Sequence, residues 1–161
     1  MVARITFLIV RALQDAGKKL SIETAVAGAL LHDIGKTPCL NSNKDHALEG
    51  QEICLAEDLV GIADIVASHI LLKDYSPNSR LSEKVIVYYA DKRVNHDQVV
   101  SLEERLAYIL SWYGRHDENL RTRIRKNFNK CLAIEKRIFS PLDFRPFDVQ
   151  HLISDIEINP A

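Results

Sequence analysis

The stretch Leu30-Leu31-His32-Asp33-Ile34-Gly35-Lys36 decides how the rest of the chain is read. An apolar helical run from Ala25 to Leu31 ends in an adjacent imidazole and carboxylate, with a glycine two residues on and a lysine after it. Glycine there suits a left-handed helix C-cap, which puts His32 and Asp33 in the last helical turn. Neighbouring helical side chains point in different directions, so this pair converges only on something lying at the helix end. A metal ion held by one nitrogen and one oxygen suits that geometry. So does a solvated cap, in which the imidazole simply answers the helix dipole. The dipeptide alone favours the solvated cap; the rest of the chain shifts the balance.

Working upstream, Ser21 is a good N-cap with Glu23 in the first turn behind it. The helix from Ile22 to about Asp33 is apolar nearly all round, which predicts a central, buried element. Before it, Val2, Ile5, Ile9, Ala12, Leu13 and Ala16 recur at helical spacing, and Gly17 ends that run. Downstream, 37–44 is a loop by composition, and a third helix starts near Asp45, carrying His46. A fourth, about 59–72, holds His69, and a fifth, capped by Ser82, ends around Asp91. Ser101 and Glu104 resemble a capping box that opens a sixth helix, to about Arg115. The seventh, about 118–139, is strongly basic and reads as a solvated face; a short last helix follows Pro141 and Pro146. Val85 to Tyr89 is β-prone but flanked by helical signals, and no other strand pattern is evident. The expectation is an all-α, single-domain bundle of about seven to eight helices.

With 161 residues, 47% of them hydrophobic, the chain can bury a real core. Its 21 basic and 22 acidic residues give a net charge of −1, which makes no electrostatic case for nucleic acid as a partner. Cys39, Cys54 and Cys131 form an odd set without close spacing, as reduced thiols of a cytosolic protein would. The apolar run between Arg4 and Arg11 is too short for a secretory leader. No segment approaches the ~20 apolar residues that span a bilayer, so a soluble, cytoplasmic protein without a membrane partner is expected.

His46, His69 and Asp91 each lie on or beside an apolar stretch. A buried imidazole or carboxylate without a partner is costly, so such residues need an explanation. Singly, each has a bland one: His69 as a satisfied core histidine, Asp91 as a helix cap or a partner of Lys92 or Arg93. The last two read as surface charges, of which at most one reaches a cleft. His96, His116 and His151 lie in polar or terminal contexts and receive no role. Joint occurrence with His32-Asp33 and Gly35-Lys36 is much harder to dismiss.

The order His32-Asp33, His46, His69, Asp91 on consecutive helices resembles the HD-domain superfamily of metal-dependent phosphohydrolases. Leu30 to Lys36 is close to that family's most typical wording, and Asp45 to Gly50 and Ala90-Asp91-Lys92 fit its later motifs. The match covers roughly residues 1 to 110. It implies residues 1–115 as an HD-type helical domain with the metal site, and 116–161 as a C-terminal helical extension packed on it. In that family the doublet and the late Asp bind one metal, and the two intermediate histidines help to hold a second. Carried over, Asp33 bridges, His32 and Asp91 bind the first ion, and His46 and His69 the second. Mixed imidazole and carboxylate ligands suit one or two ions of Mn, Fe, Co or Zn.

The resemblance implies in-line attack on phosphorus by metal-bound hydroxide at a centre bridged by Asp33. Lys36, just past the doublet, is the candidate for neutralising phosphate charge, with a solvated residue after the C-cap as the equal alternative, so Asp33 and Lys36 are the catalytic candidates. The substrate would be a small phosphomonoester or a nucleotide; homo-oligomerisation stays open. Asp45, Glu49 and Lys73 are loose candidates for the leaving-group acid. The family's pattern begins with a histidine on the first helix, before a Val-Ala pair like Val2-Ala3, and this sequence has none before His32. Either that ligand lies upstream of Met1, or the first metal has one protein ligand fewer. The departure keeps a second class in view, a non-catalytic HD module that binds metal or nucleotide and regulates a partner. The cyclic-dinucleotide branch is set aside, because no Gly-Tyr-Pro follows the doublet and no paired histidines precede Asp91.

Overall fold

Helix α1, Val2–Asp15, forms because Val2, Ile5, Ile9 and Leu13 recur every three or four residues, and all four are buried. Gly17, at φ 79°, closes it in the left-handed region that glycine enters without strain. Helix α2, Ile22–Leu31, starts at Ser21, whose hydroxyl accepts the Thr24 N–H at 3.1 Å. Helix α3, His46–Ala56, starts at Asp45, whose carboxylate accepts the Ala47 N–H at 2.9 Å. Then come α4, Val60–Ser68; α5, Glu83–Asp91; α6, Leu102–Tyr113; α7, Glu118–Phe139; and α8, Val149–Leu152.

The computed structural model describes residues 1–113, 117–154 and 156. Among them the protein has eight α-helices and one two-stranded antiparallel ribbon, β1 (Val94–Asn95) paired with β2 (Gln98–Val99). The all-α class read from the sequence holds, and the ribbon, too short for any alternation to register, is the one strand pairing. The capping box at the head of α6 is present: the Ser101 N–H donates to Glu104 Oε2 at 2.7 Å, and the Glu104 N–H donates to Ser101 Oγ at 3.1 Å. The expected end of that helix near Arg115, and His116, lie outside the described residues.

The central helix is not the expected one. In α2 only Ala25, Gly28 and Ala29 are buried, and Leu30 is 65% exposed. Helix α5 takes the middle instead: Val85 to Ala90 are all buried, and it packs against α1, α2, α4 and α7. The β-prone run is thus a helix wrapped on every side, where burial outweighs local preference. Two further boundaries shift. Helix α2 stops at Leu31 and α4 at Ser68, so His32 and His69 are C-cap residues. Nor is Gly35 a left-handed cap. A Cβ built on it would meet the His46 carbonyl oxygen at 2.2 Å and the Gly50 nitrogen at 2.5 Å, so glycine lets the loop after α2 lie against the α3 backbone.

Helix α7 crosses α5 and α6 and is fixed by polar contacts. The Tyr88 hydroxyl donates to Asn127 Oδ1 at 2.8 Å and that of Tyr89 to Glu135 Oε2 at 2.7 Å. The basic face of α7 is only partly solvated. Lys130 donates to the Leu72 carbonyl at 2.8 Å, and Arg137 donates to the Tyr75 hydroxyl and the Ser79 carbonyl, so both clamp the loop after α4. Arg93, expected at the surface, is 4% exposed. Its guanidinium donates to Tyr89 Oη, to Glu135 Oε2 at 3.3 Å, and to the carbonyls of Val100 at 2.6 Å and Pro146 at 2.9 Å. This one side chain ties α5 to the residue just after β2, to α7 and to the segment before α8. Glu135→Ala strips that buried cation of its carboxylate, which costs about 3 kcal/mol. Thermal unfolding will show it as a midpoint roughly 6–12 °C lower, with Glu135→Gln, which still accepts from Tyr89, losing less.

Candidate metal centre

Four helix ends meet on one side of α5. His32 caps the C-terminus of α2, His69 caps that of α4, Asp91 is the last residue of α5, and His46 is the first of α3. Three helix C-termini therefore aim their negative dipole ends at the same place, which suits a cation. The two C-cap histidines use the orphan carbonyls of their own last turns. His32 Nδ1 lies 2.8 Å from Ala29 O, and His69 Nδ1 lies 2.6 Å from Val66 O. A carbonyl can only accept, so each Nδ1 carries a proton and each Nε2 is the ring atom turned toward the centre, where it can donate to a carboxylate or, without its proton, ligate a metal. The short apolar helices thus set both ring orientation and tautomer.

Asp33 sits where these rings converge. Its Oδ1 is 3.5 Å from His46 Nε2 and 3.4 Å from His69 Nε2, while its Oδ2 is 3.1 Å from His32 Nε2. Asp91 Oδ1 lies 3.7 Å from the same His32 Nε2. One ligand atom each from Asp33, His46 and His69 fall within 4.8 Å of one another. All five residues singled out in the sequence as metal ligands are therefore brought together. The donor set fits a divalent transition metal: the His46 and His69 Nε2 atoms lie 3.3 Å apart beside the Asp33 carboxylate, where a shared ring proton or a cation satisfies all three groups.

The electrostatics agree. Burial by itself would raise the Asp33 carboxyl, but bonds from His32, His69 and Lys36 outweigh it and hold the group far below the usual carboxylate range. Burial also opposes ionisation of Asp91, yet Lys92 and His32 keep it below its ordinary value. His32 is raised overall: burial works against its protonation, and the neighbouring Asp33 and Asp91 win. His46 is lowered, first by burial and then by His69.

The other expected groups divide. Lys36 is exposed, and its Nζ rests on Asp33 Oδ2 at 2.7 Å. Asp45 is spent as the α3 cap, and Glu49 pairs with Lys44 at 3.0 Å. Lys92, expected at the surface, is 4% exposed. Its Nζ donates to the His69 carbonyl at 2.5 Å, lies 3.3 Å from Asp91 Oδ2, and stands 4.1 Å from the Tyr88 ring centre. It thus positions two of the candidate ligands at once. Arg105 on α6 was missed. It lines the cavity beside Asp33 and Asp91, and its distance from the motifs left no local signal.

The HD-domain family model matches residues 1–95. A tRNA (cytidine(56)-2'-O)-methyltransferase of Picrophilus torridus is 36% identical over 93 residues, which cover 48% of this chain and 26% of that protein. The chain thus spans about a quarter of the length of that curated relative. No solved structure matches it. With the family match covering more than half of its length, and with the doublet, the later histidines and the late aspartate gathered at one centre, the chain belongs to the HD-domain family.

Proposed function

We propose that the chain is a metal-dependent phosphohydrolase acting on a small phosphomonoester or nucleotide. The observation that carries this is the convergence of three imidazole Nε2 atoms on the two oxygens of Asp33, with Asp91 against the same His32 Nε2. Asp33 Oδ2, His32 and Asp91 would hold one ion and Asp33 Oδ1, His46 and His69 another, drawn from Mn, Fe, Co or Zn. When bound, such ions supply Lewis acidity and a water acidified towards neutral pH. Lys36, mobile and already at the carboxylate, exchanges Asp33 for a phosphoryl oxygen as substrate arrives. Lys92 keeps Asp91 ionised and the His69 turn in place.

Residues 1–115 are read as the domain bearing the centre and 116–161 as an extension packed on it, which the seating of α7 on α5 and α6 supports. No helix among the described residues is long and apolar enough to cross a membrane. Cys54 and Cys131 are buried in separate clusters, which fits reduced thiols and a cytoplasmic setting.

Metal content by mass spectrometry, followed by phosphate release from p-nitrophenyl phosphate and a nucleotide panel with added Mn²⁺, tests the reading. The wild type turns over at least one ester, and the His32→Ala, Asp33→Ala double variant falls to background. A second reading, a non-catalytic module that binds metal or nucleotide and regulates a partner, draws support from the relative above: the shared part is about a quarter of a protein named for methyl transfer. Metal bound by the wild type without turnover of any ester would overturn the hydrolase and favour that module.

A further inference from the structure

Two cavities flank the metal centre, and helix α6 stands between them. One, of about 550 Å³, reaches toward Met1, His96 and Tyr108; the other, of about 380 Å³, runs under α7. Both are lined by Asp33, Lys36 and Asp91 and by Arg105, Ile109 and Tyr113 of α6, three residues spaced four apart and so on one helix face. Their walls differ. The first mixes Met1, Leu30 and Val94 with His96 and Tyr108, whereas the second has Ile70, Leu120, Ile124 and Phe128 in its wall. A phosphate alone fills only a small part of either, and about 380 Å³ falls within the range of small-molecule pockets.

Arg105 marks where the charged end of a ligand would lie. Its Nη1 donates to Asn95 Oδ1 at 2.6 Å, its buried Nε has no acceptor, and no carboxylate among the described residues forms an ion pair with it. An arginine that acts on Asp91 only through space, keeps a spare N–H and lines both cavities is a receptor for an incoming anion. An apolar chamber opening from that point takes an apolar, planar body attached to the anion.

We infer that α6 and α7 form the specificity wall of the proposed phosphohydrolase site, Arg105 binding the phosphoryl group and the Ile109–Ile124–Phe128 chamber taking the organic part of a phosphate monoester of nucleobase size. The inference rests on the proposed reading of the centre. It also places substrate choice in residues beyond the 1–95 segment that defines the family.

Calorimetric binding to Mn²⁺-loaded protein tests it without turnover, using adenosine 5′-monophosphate and inorganic phosphate as probes. The wild type binds the nucleotide at least tenfold more tightly than phosphate. Ile124→Trp, which fills the chamber, collapses that ratio tenfold or more. Tyr113→Ala, a change at an exposed residue that does not threaten folding, lowers the ratio severalfold. Arg105→Gln weakens both probes by about tenfold, with Arg105→Lys recovering part of the loss. Equal affinities in the wild type, or a ratio untouched by Ile124→Trp and Tyr113→Ala, would overturn the wall. Phosphate release decides the other reading separately. Nucleotide bound in the chamber with no ester of any kind hydrolysed removes the hydrolase and keeps the wall, whereas hydrolysis of small esters without nucleotide preference does the reverse.

Discussion

Replacing Asp33 by Asn will leave the helices folded and weaken binding of a divalent ion by more than about 100-fold, beyond the 10–100-fold that changes to outer-shell partners cause. The reason is position. Each Asp33 oxygen faces a different imidazole group, Oδ1 toward His46 and His69 and Oδ2 toward His32, so one neutral amide disables both halves of the centre. Asn is nearly isosteric, and the Nδ1 bonds of His32 and His69 to Ala29 and Val66 do not depend on it, so the rings stay in place. Metal titration of the stripped protein, with circular dichroism as the control for folding, reads the effect. An affinity within tenfold of the wild type would mean that the centre holds its ion without Asp33, and the proposed mechanism would fail with it.

Gly35→Ala will cost about 3 kcal/mol of stability, the upper end for overpacking, and lower the unfolding midpoint by roughly 6–12 °C. The added methyl meets backbone, not side chain: the His46 carbonyl at 2.2 Å and the Gly50 nitrogen at 2.5 Å. Backbone in the first turns of a helix cannot step aside alone, so α3 must move, and His46 moves away from Asp33 with it. Loss of stability and loss of metal affinity are therefore expected together. Gly28→Ala is the contrasting case. Its methyl first meets the Ile65 side chain, at 2.7–3.1 Å, rather than backbone, and a side chain yields more readily than a helix, so about 1 kcal/mol is expected with metal affinity little changed. If Gly35→Ala proves as mild as Gly28→Ala, the close approach of loop and helix is not what the glycine serves.

The readings that held rest on residues whose meaning is local. Ser21 caps the helix it precedes, the third helix starts beside Asp45, Ser101 and Glu104 form their box, and α1 buries the stripe its spacing describes. The readings that changed concern what lies opposite a residue. Gly35 looked like a turn residue and proved to be a contact residue. Lys92 and Arg93 looked like surface charges because neither the His69 carbonyl nor Glu135 is near them in sequence. Arg105 and the α7 wall went unnoticed because a chamber between two helices has no pattern along either one.

Sequence by itself determined the helical class and most helix starts, because caps and apolar periodicity carry their reasons within a few residues, while the five residues that gather at the centre were named through their ordered resemblance to the HD-domain family. Only the tertiary structure decided that α5 and not α2 is the core, that the buried Lys92 and Arg93 hold the ends of other elements, and that Asp33 divides its oxygens between two sets of imidazoles. Those facts are distances between segments far apart in the chain, and they exist only once the helices have packed.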